Sequence, residues 1–96
     1  MRTPWETEPG VELVAAAQRG DRKALDALAA AYLPLVYNVV GRAMNGHPDV
    51  DDVVQETMLR AIRGLDQLRA PDAFRSWLLA IAIRQVRDSY RDRLAQ

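Results

Sequence analysis

Between residues 49 and 65, apolar side chains return at intervals of three and four: Val50, Val53, Val54, Thr57, Met58, Ala61, Ile62 and Leu65. That spacing lines one side of an α-helix and predicts a buried face. The opposite side carries Asp52, Gln55, Glu56, Leu59 and Arg63, an exposed stripe with a leucine where a purely solvated face would have none. Asp49, Asp51 and Asp52 crowd the first turn, where negative charge meets the positive end of the helix dipole and Asp49 or Asp51 can cap free N–H groups. Two readings fit this stretch. The acids only start a helix, or the stripe is a docking surface, acidic at its rim and amide and apolar at its centre, for a basic partner helix.

The same periodicity organises the rest of the chain. Residues 11–19 read as a short helix with Val11, Leu13, Val14 and Ala17 on its weak apolar face, ended by Gly20. Asp21 is placed to cap a longer pattern reaching about Met44, with Leu25, Leu28, Tyr32, Leu35, Val36, Val39 and Ala43 along one side. Pro34 lies inside it and predicts a kink near residues 30–33, or two abutting helices. Asn45-Gly46-His47-Pro48 is a turn, and His47 belongs to it as a surface residue. After a helix to about Gly64, residues 65–71 form a loop, and Asp72 is expected to cap a final helix over 72–94. Its rows Phe74, Trp77, Leu78, Ile81 and Leu79, Ile83, Val86, Tyr90 make a wide apolar stripe, so it should pack against more than one neighbour. No alternating stretch suggests a strand. The expected fold is all-α, a bundle of three long helices plus a short N-terminal one over residues 11–96, preceded by an irregular tail, residues 1–10, that carries Trp5.

Ninety-six residues, 49% hydrophobic and 27% charged, make one globular domain able to bury roughly 60–65% of its unfolded surface. No apolar run approaches the roughly 18–20 residues that cross a bilayer, and the first ten residues lack the apolar core of a secretory signal, so no membrane role is expected. The chain has no cysteine, which excludes disulfides and thiolate chemistry and fits a cytoplasmic address. Its zero formal charge conceals a division: residues 1–59 carry nine acids and five bases, whereas residues 60–96 carry eight arginines and four aspartates. Arginine suits planar, bidentate contacts with phosphates and bases. Arg84, Arg87 and Arg91 fall on one side of the last helix; they are either a polyanion contact or a solvated end partly paired with Asp88, four residues after Arg84.

Catalytic patterns are missing. There is no glycine-rich phosphate loop, histidine pair or nucleophile motif, and Asp51, Asp52 and Glu56 lie on one helix without a second element converging on them. Neither an enzyme, a metal site nor a cofactor is expected. Binding is.

Two stretches are more specific: D-V-D-D-V-V-Q-E-T-M-L-R-A-I-R (49–63) and F-R-S-W-L-L-A-I-A-I-R-Q-V-R-D-S-Y-R (74–91). Together they resemble region 2 of the bacterial sigma-70 family, most of all its small extracytoplasmic-function (ECF) branch. R-G-D-R-K-A-L-D-A-L-A-A-A-Y (19–32) is similar to that branch's R-G-D-x-x-A-F-x-x-L-Y pattern, with Leu25 where Phe is usual. The resemblance spans residues 11–93. It implies that Asp52, Gln55 and Glu56, with Leu59 and Arg63 beside them, grip the clamp helices of the RNA polymerase β′ subunit. It further implies that the loop 65–71, with Asp66, Gln67 and Arg69, receives a flipped base from the non-template strand of the promoter −10 element. Arg75, Arg84, Arg87 and Arg91 would lie against backbone or bases. The sequence departs from the family at Arg84, where Asn is frequent, and at Ala80 and Ile83, where basic residues are frequent. The family's second domain, a helix-turn-helix (region 4), is not in these 96 residues, and anti-sigma proteins commonly cover the same surfaces. A helical protein-interaction module without nucleic-acid binding is the competing reading.

Overall fold

The computed structural model describes residues 10–95, which form four α-helices: α1 (Val11–Gln18), α2 (Arg22–Ala43), α3 (Val50–Gly64) and α4 (Phe74–Ala95). The all-α expectation holds. The expected N-terminal tail with Trp5 lies outside the described residues, Gly10 excepted.

The segment R-G-D at 19–21 stops one helix and starts the next. Gly20 sits at φ +92°, its N–H donating to the Ala17 carbonyl at 3.0 Å, while the Asp21 N–H donates to Ala16 at 3.1 Å. This pair of bonds is a Schellman motif, and it needs a residue that enters the left-handed region without penalty. The Asp21 carboxylate then accepts from the Ala24 N–H at 3.1 Å and caps α2.

Helix α2 is the hub. Ala24, Leu28, Tyr32, Val36 and Val40 are buried along it, and it packs against α1, α3 and α4. Pro34 does not divide it: one helix runs from 22 to 43, correcting the expectation of two abutting helices. Pro34 and Ala30 both face solvent, so the Ala30 carbonyl deprived of its partner is open to water. By length and composition α2 would also suffice to cross a bilayer, its mean hydropathy reaching 1.4 over a stretch that the expectation of no such run had passed over. In this fold its apolar stripe is spent on the core.

Helix α3 buries Val53, Val54, Thr57 and Ala61, and the Thr57 hydroxyl donates to the Val53 carbonyl at 2.8 Å, so its burial leaves no unmet donor. Asp49 stands before the first turn without a side-chain cap; its N–H instead donates to His47 Nδ1 at 3.0 Å, which makes His47 part of the turn. Leu65–Gln67 and Pro71–Ala73 are single 3-10 turns between α3 and α4. Asp72, expected to cap α4, lies inside the second of these, and α4 begins at Phe74. Phe74, Leu78 and Ala82 close the core, with the Phe74 ring edge-on to Tyr32 at 5.0 Å. Burying each large side chain such as Leu28 or Leu78 contributes about 1.5–3 kcal/mol.

Several apolar positions expected inside are outside. Ile62, Ile83 and Tyr90 are 41%, 46% and 58% exposed, and Val11 and Ala43 are also uncovered. Four helices cannot cover stripes this wide, and of these residues Ile62 lines a groove described next.

Candidate functional site

Of the stripe on α3, Asp52, Gln55, Leu59 and Arg63 are exposed and Glu56 is half-buried. The helix turns this stripe outward because its other side is committed to Val53, Val54, Thr57 and Ala61. The structure shows more than a single face. Gln55 and Leu59 belong to an apolar groove of about 480 Å³ between α2 and α3, with Leu33, Tyr37, Met58 and Ile62. Asp52 and Glu56 belong to an acidic groove of about 380 Å³ between α3 and α4, facing Asp88, Asp92 and the buried amide of Gln85. Helix α3 is thus a ridge, apolar on one flank and anionic on the other.

Local pairs set the charges on this ridge. Glu56 accepts a hydrogen bond from Arg60 Nε at 2.9 Å, an exposed pair one helical turn apart. Asp51 instead neighbours Tyr37 and raises its phenol above the ordinary pKa of 10.0, by hydrogen bonding first and then by desolvation and charge. The three carboxylates Asp51, Asp52 and Glu56 therefore do not converge on one point, and among the described residues no group of ligating side chains could hold a metal ion.

The loop between α3 and α4 alternates its side chains. Leu65 and Leu68 are buried, while Asp66, Gln67 and Arg69 are exposed. Gln18, at the last turn of α1, donates from Nε2 to the Leu65 carbonyl at 3.1 Å and to the Leu68 carbonyl at 2.8 Å. Beyond the loop, Arg75, Ala80, Ile83, Arg84, Arg87, Tyr90 and Arg91 are all exposed along α4. Arginine, aliphatic and aromatic side chains alternate there, the mixture that engages a single strand through phosphates and base faces. Arg91 reaches the Asp88 carboxylate at 3.3 Å, so Asp88 pairs three residues forward and not with Arg84 as its spacing suggested. Exposed pairs of this kind contribute about 0.2–1 kcal/mol and yield readily to a phosphate.

Every residue predicted for binding is at the surface except for the half-buried Glu56, and they lie on the α3 ridge and on the loop with α4, which meet where Glu56 and Arg91 line one groove. Sequence reasoning missed Leu33, Tyr37 and Ile62 on the apolar flank, Arg60 beside Glu56, and Gln18 behind the loop. The Glu56–Arg60 pair was detectable from its i,i+4 spacing. The others meet across elements.

The geometry defines a small helical domain with exposed side chains along the α3 ridge and along the 65–71 loop and α4. The Sigma-70 region 2 family profile matches residues 28–95, and the chain belongs to that family. Among its relatives, the ECF RNA polymerase sigma-E factor of Escherichia coli K12 is 42% identical over 71 residues, covering 74% of this chain and 37% of the relative. The sigma-E factor of Salmonella typhimurium LT2 aligns equally well. The RNA polymerase sigma-H factor of Pseudomonas aeruginosa is 36% identical over 76 residues, 79% of this chain and 39% of that protein. The chain spans under two fifths of the length of these relatives. A solved structure of an engineered region 2 of sigmaE in complex with GTAAAA superposes with a TM-score of 0.78 at 32% identity, covering 95% of this chain and 93% of that one.

Proposed function

We propose that this domain binds core RNA polymerase through the α3 ridge and captures the single-stranded −10 element of a promoter on the 65–71 loop and α4. The carrying observation is the simultaneous exposure of Gln55 and Leu59 on one surface and of Gln67, Arg69, Arg84 and Arg87 on the other, in a fold shared with a region 2 in complex with GTAAAA. The β′ clamp helices are the polymerase partner: the apolar flank receives aliphatic side chains, and the acidic flank receives basic ones. Asp52, Gln55, Glu56, Leu59 and Arg63 carry this contact. No bond is made or broken by the domain; it acts by binding, in the cytoplasm, and an anti-sigma protein would act by covering the same ridge.

Promoter melting follows from differential binding. A base inside a duplex hides its faces, whereas an extruded base exposes both faces and its pairing edge to the loop. Asp66, Gln67 and Arg69 can then donate to and accept from that edge, while Arg75, Arg84, Arg87 and Arg91 track the backbone. A surface that contacts only the opened strand stabilises the opened state by its full binding energy. Zero net charge keeps the domain's affinity for intact duplex low.

Replacing Gln55 and Glu56 together by Ala should weaken capture of a β′ clamp-helix fragment about tenfold or more, with an unchanged circular dichroism spectrum. Undiminished capture would remove the polymerase assignment.

A further inference from the structure

Gln18 was not among the residues predicted for binding, and it stands on a helix that carries none of them. Its side-chain amide nevertheless directs Nε2 to two backbone carbonyls of the loop, Leu65 at 3.1 Å and Leu68 at 2.8 Å, which are 47 and 50 residues away in sequence. These carbonyls bracket the 3-10 turn Leu65–Gln67: the first also accepts the Leu68 N–H at 3.2 Å, and the second follows the turn. One amide group therefore spans the whole turn from behind. In front of it stand Asp66, Gln67 and Arg69, all exposed.

The direction of Gln18 is itself fixed. It is the last residue of α1, and the Gly20 and Asp21 N–H groups bonding back to Ala17 and Ala16 end the helix at that point. The turn is further pinned by burial of Leu65 and Leu68 on either side of it. A loop held in this way enters a complex already ordered, so less conformational entropy is lost on binding.

We infer that Gln18 is a positioning residue for single-strand recognition: it holds the 65–68 backbone so that Asp66, Gln67 and Arg69 present a preformed cradle to an extruded base. This inference rests on the nucleic-acid reading proposed above and adds to it a residue that does not touch the strand. Glutamine suits the task because one nitrogen carries two N–H groups, each able to serve one carbonyl. Glutamate has the same shape, offers no donor, and would repel both carbonyl oxygens.

The test compares the 96-residue chain with its Gln18→Glu and Gln18→Met variants, the second keeping bulk and helix propensity while losing the donors. The wild type is first presented with a single-stranded DNA pool randomised at six positions, and the tightest sequence becomes the probe. Both variants should bind that probe about tenfold more weakly, exchange the amide hydrogens of residues 66–69 faster, and retain wild-type capture of a β′ clamp-helix fragment. Replacing each base in turn by an abasic site should reveal one position where the wild type loses affinity and the variants lose little more. A wild type that retains no sequence from the pool defeats the nucleic-acid reading and this inference with it. A wild type that binds, with variants that match it in affinity and abasic response, defeats the role of Gln18 alone. Parallel loss of clamp-helix capture in both variants would make Gln18 a residue of general stability and would equally overturn the assignment.

Discussion

Gly20 and Asp21 show how much a short motif determines. The glycine occupies a backbone conformation that costs an alanine roughly 1 kcal/mol or more, and the aspartate satisfies a helix donor that alanine cannot. Asp21→Ala should therefore lower stability by about 1 kcal/mol in urea denaturation, and Gly20→Ala by at least as much, each shifting Tm by several degrees. Tyr37 offers a test of side-chain pairing. Its phenol is held above 10.0 by Asp51, so the stabilising contact is fully present below that pH and is lost as the pH rises through the folded value. Asp51→Asn should lower the Tyr37 titration midpoint toward its ordinary value, read from the ring resonances by NMR; an unchanged midpoint would show that the pair does not form in solution. At this scale the sequence was legible where a residue acts on its near neighbours, as Asp21 and Gly20 do. Gln18 was not, because its partners stand 47 and 50 positions away and nothing local marks them.

Among the elements, α3 was read most fully and α4 least. The buried side of α3 and the outward stripe both follow from one period of 3.6, and Asp52, Gln55, Leu59 and Arg63 are where that period puts them. The division of the stripe between two grooves was not readable, since Leu33 and Tyr37 come from α2 and Asp88 and Asp92 from α4. Ile62, Ile83 and Tyr90 look like core by pattern and stand outside because the packing of four helices covers them only in part. Of the two outcomes expected at Pro34, a kink or two abutting helices, the second is excluded, since one helix runs through it with Ala30 and Pro34 on the exposed side. Leu59→Ala, at an exposed site, should change stability by less than about 0.5 kcal/mol while weakening clamp-helix capture. Leu78→Ala, at a fully buried site, should cost about 2–5 kcal/mol, enough to unfold much of a marginally stable domain; a Leu78→Ala variant with wild-type denaturation would contradict the packing described.

Over the whole molecule, charge is separated along the chain, acidic through residue 59 and basic beyond it. On the face assigned to polymerase Asp52 and Glu56 are joined by Asp88 and Asp92 and bordered by Arg60 and Arg63, while Arg69, Arg75, Arg84 and Arg87 are exposed on the loop and α4 assigned to DNA. Affinity for single strands should fall with added salt, and removing Arg84 and Arg87 should lessen the logarithmic slope by about 0.7 for each phosphate that is no longer neutralised. The charge division and the helical class were plain in the sequence; the two surfaces proposed on one bundle required the fold. The most direct measurement of that placement is site-specific photocrosslinking, with the reactive group at position 59 or at position 87, in a mixture of core polymerase and promoter DNA opened at the −10 element. The account predicts attachment to the β′ subunit from position 59 and to the non-template strand from position 87, and attachment of both to the same partner, or of neither, would contradict it.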